Sequence, residues 1–103
     1  MGKIVKIIFN GLELISIPKI ENIFNIEELS VYNNSINEID KVIYEMINLK
    51  VLNLSFNNIE NISSDIKNLK KLRFLDLGFN NFKTIPAVLG HFETFLKRYN
   101  NAI

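Results

Sequence analysis

Two periods are superposed along this chain, a local alternation of two residues and a longer repeat of 23. In Leu52-Asn53-Leu54 and Leu75-Asp76-Leu77 every second residue is apolar, as in a strand buried on one face. Further on, Ile39, Ile43 and Met46, and then Ile62, Ile66 and Leu69, take the i, i+4, i+7 spacing of an apolar helical stripe. One unit is therefore predicted to run strand, turn, short helical return. Stacked units place their strands in a parallel sheet, with the core between sheet and returns.

The units align column by column. The columns are Ile26, Leu49, Leu72; Leu29, Leu52, Leu75; Val31, Leu54, Leu77; Ile36, Ile59, Phe82; Ile39, Ile62, Ile85; Ile43, Ile66, Leu89; and Met46, Leu69, Phe92. In a chain that is 48% apolar, an all-apolar filling of these columns has a chance expectation of roughly one in five million, so the repeat is a property of the sequence. Ile4, Ile7, Phe9, Leu12, Leu14 and Ile17 form an earlier unit one residue out of frame, and Ile20 and Ile23 restore the frame.

One column is polar. Asn34, Asn57 and Asn80 stand 23 residues apart, each where the strand ends and the chain turns inward. Backbone groups at such a bend cannot all pair within the sheet, and a buried carboxamide has the two donors and the acceptor oxygen to bridge them. The three residues are expected to form a structural ladder between units. In the first unit Leu12 takes this position, beside Asn10 and Gly11, so an irregular turn is expected there.

The segments IEELSVYNNSI, LKVLNLSFNNI and LRFLDLGFNNF resemble the L-x-x-L-x-L-x-x-N-x-L core of the leucine-rich repeat family. Their spacing and the segment Phe82-Lys83-Thr84-Ile85-Pro86 are similar to the intracellular class found in signalling scaffolds and phosphatase regulatory subunits. The resemblance implies an α/β solenoid, a right-handed coil with a short parallel sheet on its concave face and short helical returns on its convex face. A single domain over 1–103 is expected, with repeats at 4–25, 26–48, 49–71 and 72–94 and a broken fifth repeat or cap at 95–103.

Composition narrows the function classes. There is no cysteine, hence no disulfide framework or thiolate metal site. The start MGKIVKIIFNGLEL lacks a small-residue cleavage site, Lys6 stands where myristoylation needs Ser or Thr, and no apolar run reaches membrane-spanning length. An intracellular, cytoplasmic or nuclear, location without membrane contact is expected. The N-x-S sequences at Asn33, Asn53 and Asn61 then read as by-products of an asparagine-rich repeat. His91 has no local metal partner or nucleophile, and no phosphate-binding glycine motif is present. No enzyme activity, cofactor, metal or small-molecule substrate is expected.

A binding surface remains, and the outward strand positions supply one. These columns are Lys6, Glu28, Val51, Phe74; Ile8, Ser30, Asn53, Asp76; Asn10, Tyr32, Ser55, Gly78; and Gly11, Asn33, Phe56, Phe79. With Glu27, Lys50 and Arg73 they make a mixed-charge, aromatic face suited to a protein partner. The residues expected to bind are Lys6, Ile8, Glu28, Ser30, Tyr32, Lys50, Asn53, Phe56, Arg73, Asp76 and Phe79. Phe56 and Phe79 read equally well as rings packed on their neighbours.

Charge is unevenly distributed. Residues 1–60 hold five Lys or Arg against eight Asp or Glu, whereas residues 61–103 hold seven against three. Lys67, Lys70, Lys71, Lys97 and Arg98 form a carboxyl-end basic group that would attract a phosphate backbone. The alternative to a protein-interaction scaffold is thus a structural subunit of a ribonucleoprotein assembly contacting RNA through this group. Few residues precede Ile4, and the last unit breaks off with Leu96, Tyr99 or Ile103 available as cover. So short an array is expected to dock within a larger complex.

Overall fold

The computed structural model describes residues 3, 5–84 and 87–88. Expectations placed on Ile4, Ile85, Leu89, His91, Phe92, Lys97, Arg98 and the 95–103 tail lie outside the described residues.

Four strands, β1 (Val5–Ile8), β2 (Ile26–Ser30), β3 (Val51–Asn53) and β4 (Phe74–Asp76), form one parallel sheet in chain order. Its register pairs Lys6 with Glu28, Glu28 with Val51 and Val51 with Phe74, and likewise Ile8, Ser30, Asn53 and Asp76. Columns of the sequence are therefore rows across the sheet, about 4.8 Å apart from strand to strand. Leu29, Leu52 and Leu75 point inward from these strands and are buried, with Val31, Leu54 and Leu77 beside them. Burying each such side chain contributes about 1.5–3 kcal/mol.

The returns are shorter than the apolar stripes predicted. Among the described residues only Lys41–Tyr44, α1, is α-helical, and 3₁₀ turns occupy Ile23–Asn25 and Ser64–Asn68. Ile39, Ile43, Met46, Ile66 and Leu69 are nevertheless buried, and Ile62 is half-buried. Tertiary packing fixes these positions without a full helix, because nucleating a helix is costly and a few residues cannot repay it. The first return has no helical turn before Ile23, in keeping with Pro18, which pushes its predecessor out of the helical region. Tyr44 joins successive returns: its hydroxyl oxygen accepts the Ser63 N–H at 3.1 Å.

The asparagine column is a continuous ladder. Asn57 Nδ2 donates to Val31 O and Leu54 O, each at 3.0 Å, while its Oδ1 accepts the Ile36 N–H at 3.0 Å. Asn80 repeats this one unit later, donating to Leu54 O and Leu77 O and accepting from the Ile59 N–H. Asn34 donates to Phe9 O and Val31 O and accepts from both the Leu12 and Leu14 N–H groups. Val31 O and Leu54 O thus each take hydrogen bonds from two successive carboxamides. The first turn is irregular as expected, with positive φ at both Gly11 and Glu13. Leu12 does not fill an apolar column: it is 55% exposed, because the turn swings it outward while Asn34 takes its N–H.

Candidate protein-interaction face

Alternation along β1 to β4 turns Lys6, Ile8, Glu28, Ser30, Asn53 and Asp76 toward the sheet's open face, while Lys50, Arg73, Tyr32, Phe56 and Phe79 flank the strands, and their surroundings divide these residues into three groups. The first consists of charges that neutralise one another across units. Lys50 Nζ lies 3.0 Å from Glu27 Oε1, and Lys6 Nζ lies 3.8 Å from Glu28 Oε1. Both pairs are solvated, so each contributes little to stability. Arg73, at the exposed entrance to β4, has no ion pair among the described residues.

The second group uses its polar atoms to shape the backbone. Asn53 Oδ1 accepts both the N–H and the Oγ–H of Ser55, and Asp76 Oδ1 accepts the Gly78 N–H at 2.9 Å. Ser30 Oγ donates to Asn10 Oδ1 at 2.7 Å. Such Asx bonds were available to sequence reasoning as N-x-S and D-x-G two residues apart. They leave Asn53 and Asp76 only part of their hydrogen-bonding capacity for a partner.

The third group is apolar and open to solvent. Tyr32, Phe56 and Phe79 line the end of the sheet where the strands turn inward, 38%, 41% and 48% exposed. Phe56 and Phe79 stack with ring centroids 4.3 Å apart, and Tyr32 meets Phe56 edge-on at 5.3 Å. Both phenylalanines have left-handed backbone, φ 58° and 57°. Neighbour packing and solvent exposure therefore coexist in the same rings. Further along the same face Ile8 is exposed, next to a shallow hollow of about 270 Å³ that Val51 and Phe74 also line. Val51 and Phe74 belong to the outward columns of the sequence but not to the residues expected to bind.

A larger open hollow of about 590 Å³ lies between Ile15, Ser16 and residues 37–41. It sits on the segments that follow the turns of the first two units, away from the sheet face. Asp40 on its wall has a carboxyl raised above its ordinary value chiefly by burial, opposed by the Ile17 N–H and by its own. Among the described residues no group of His, Cys, Asp or Glu could hold a metal, and no helix is long and apolar enough to cross a membrane.

Lys67, Lys70 and Lys71 are exposed on the third return and its exit, and Lys71 Nζ donates to Asn48 Oδ1 at 2.8 Å. The sheet and this basic group are therefore separate surfaces, joined only through the body of the unit.

A family model for the leucine rich repeat matches residues 24–82. No curated protein matches the chain. The matched span contains β2, β3, β4 and all three ladder asparagines, and with it the chain belongs to the leucine-rich repeat family.

Proposed function

We propose that this domain is a noncatalytic scaffold that holds a protein partner against the open face of its sheet. Leucine-rich repeat domains commonly serve protein–protein contact. The observation that carries the reading here is the exposed ring series Tyr32, Phe56 and Phe79 at one end of a rigid parallel sheet. Aromatic anchors on a preformed surface are the residues that dominate interface energies. Arg73 and the apolar Ile8, Val51 and Phe74 extend that surface along the strands, while the internal ion pairs of Lys6 and Lys50 limit the charge a partner must desolvate.

Site-specific photocrosslinking tests the proposal. A crosslinker at Val51 on the sheet and, separately, at Lys67 on the return should differ: the sheet position should trap a discrete protein in extract, with or without ribonuclease. Crosslinks formed only from Lys67, and abolished by ribonuclease or modest salt, would replace this reading with RNA contact.

A further inference from the structure

The chain contains a single Asn-Gly step, Asn10–Gly11, at the end of the first unit's strand. Asparagine before glycine is prone to attack by the following backbone nitrogen, since glycine has no Cβ to obstruct the approach. Space is open at this glycine, where an added Cβ would meet only Asn33 Nδ2, at 3.9 Å. We propose that Asn10–Gly11 is a latent deamidation site, shut by the seam between the first two units and exposed to its own chemistry when that seam opens.

The reaction needs water and no other reagent. The deprotonated Gly11 nitrogen attacks Asn10 Cγ, a new N–C bond closes a succinimide, and the Cγ–Nδ2 bond breaks with the side-chain nitrogen leaving as ammonia. Water then opens the ring at one carbonyl or the other. One product is aspartate at position 10; the second is isoaspartate, with the main chain routed through Cβ.

Three hydrogen bonds, all to the second unit, bear on these steps. Gly11 N–H donates to Tyr32 O at 2.9 Å, and Asn10 Oδ1 accepts Ser30 Oγ–H at 2.7 Å and Tyr32 N–H at 3.0 Å. The two donors at Oδ1 polarise Cγ and taken alone would assist attack. The closed seam prevails because the attacking nitrogen must first lose a proton that is engaged by Tyr32 O, and Cγ must swing toward a nitrogen while Oδ1 is tied from two sides. Deamidation and hydrogen exchange at Gly11 therefore share one opening event, and the folded chain should react at the unfolded rate multiplied by the open fraction.

The products have different consequences. Aspartate keeps an oxygen acceptor for Ser30 and Tyr32 and adds a negative charge to the sheet face. Isoaspartate inserts a backbone carbon between Asn10's former position and Gly11, which displaces the Gly11 N–H from Tyr32 O and prevents the seam from closing again.

The test incubates the full chain at mildly alkaline pH, folded and in urea. Asn10 conversion is followed by peptide mapping and isoaspartate by enzymatic methylation, with Gly11 amide exchange measured in parallel. Conversion should be at least about tenfold slower in the folded chain. Ser30→Ala and Asn34→Ala, which loosen the seam, should speed amide exchange and conversion by the same factor. Should Asn34→Ala fail to fold, unaltered chain in sub-denaturing urea provides the same comparison. Equal conversion rates in folded and unfolded chain, or faster exchange at Gly11 with no faster conversion, would overturn the proposal.

Discussion

Asn57→Ala is expected to destabilise the fold by about 3 kcal/mol, a figure that follows from which backbone groups keep a second partner. Val31 O retains Asn34 Nδ2 at 3.0 Å and Leu54 O retains Asn80 Nδ2 at 3.0 Å. Losing the extra bond to each costs about 0.5 kcal/mol, the low end for a hydrogen bond. The Ile36 N–H is different. Its acceptor is Asn57 Oδ1, and at 1% exposure Ile36 is out of reach of bulk water. Leaving that donor unpaired costs about 1–3 kcal/mol.

The same accounting ranks the ladder in an order that counting bonds would not give. Asn34 bonds to more backbone groups than Asn57, yet two of them, the Leu12 and Leu14 N–H groups, sit in the irregular first turn where Leu12 is 55% exposed. Water can reach that turn, so Asn34→Ala should cost only about 1–2 kcal/mol. Asn58→Ala, at an exposed neighbour, should stay within about 0.5 kcal/mol of the unaltered chain. Urea unfolding followed by circular dichroism and tyrosine fluorescence measures all three, with coincident curves guarding against unit-by-unit melting. A loss below about 1 kcal/mol for Asn57→Ala, or a larger loss for Asn34→Ala, would refute the premise that burial of the orphaned donor sets the cost.

Three further outcomes are expected. A double-mutant cycle on Phe56 and Phe79, each changed to alanine, should give a coupling of about 0.5–1.5 kcal/mol for the stacked pair; additive losses would mean that the rings do not interact in solution. Tyr44→Phe should cost about 1 kcal/mol in urea titrations because the Ser63 N–H loses its acceptor. Asp40 has a folded-state pKa raised mainly by burial, so its contribution to stability is full below its ordinary value near 3.8 and is lost as pH rises through the raised value. Asp40→Asn should accordingly gain on the unaltered chain as pH is taken from acid to neutral, and parallel pH profiles of the urea midpoint would contradict this.

Much of the fold could be read in the sequence because the two periods constrain each other. An alternation of two fixes which side chains point inward, and the repeat fixes which of them meet, so Leu29, Leu52 and Leu75 form a buried row before any coordinates are known. Asn34, Asn57 and Asn80 stood out for a related reason: a polar residue recurring in a buried row must have recurring partners. The return helices did not follow from their stripe, since Ile39 and Met46 are buried by contact with the core although the second return is α-helical only over Lys41–Tyr44. Binding residues were the least readable. Exposure on the sheet was visible from alternation, and Glu27 and Lys50 stand one repeat apart in the same column, but whether such neighbours spend their charge on each other, and whether Asn53 Oδ1 turns to the backbone, is decided by local contacts that compete with any partner.

Backbone conformation separates the stabilising and the functional explanations of the aromatic rings. Gly11, Asn33, Phe56 and Phe79 occupy equivalent places and all have left-handed backbone, with φ between 57° and 66°. Glycine and asparagine adopt that region readily, whereas phenylalanine is penalised there by about 1–2 kcal/mol. The stacked contact returns about 0.5–1.5 kcal/mol, so the rings and their strain nearly cancel. Phe79→Asn should therefore change stability by less than about 1 kcal/mol while weakening capture of a partner from the sheet face. Calorimetry or urea unfolding supplies the first number and crosslinking from Val51 the second. A loss above about 2 kcal/mol with partner capture intact would make the ring a structural element and would remove the strongest support for the interaction reading.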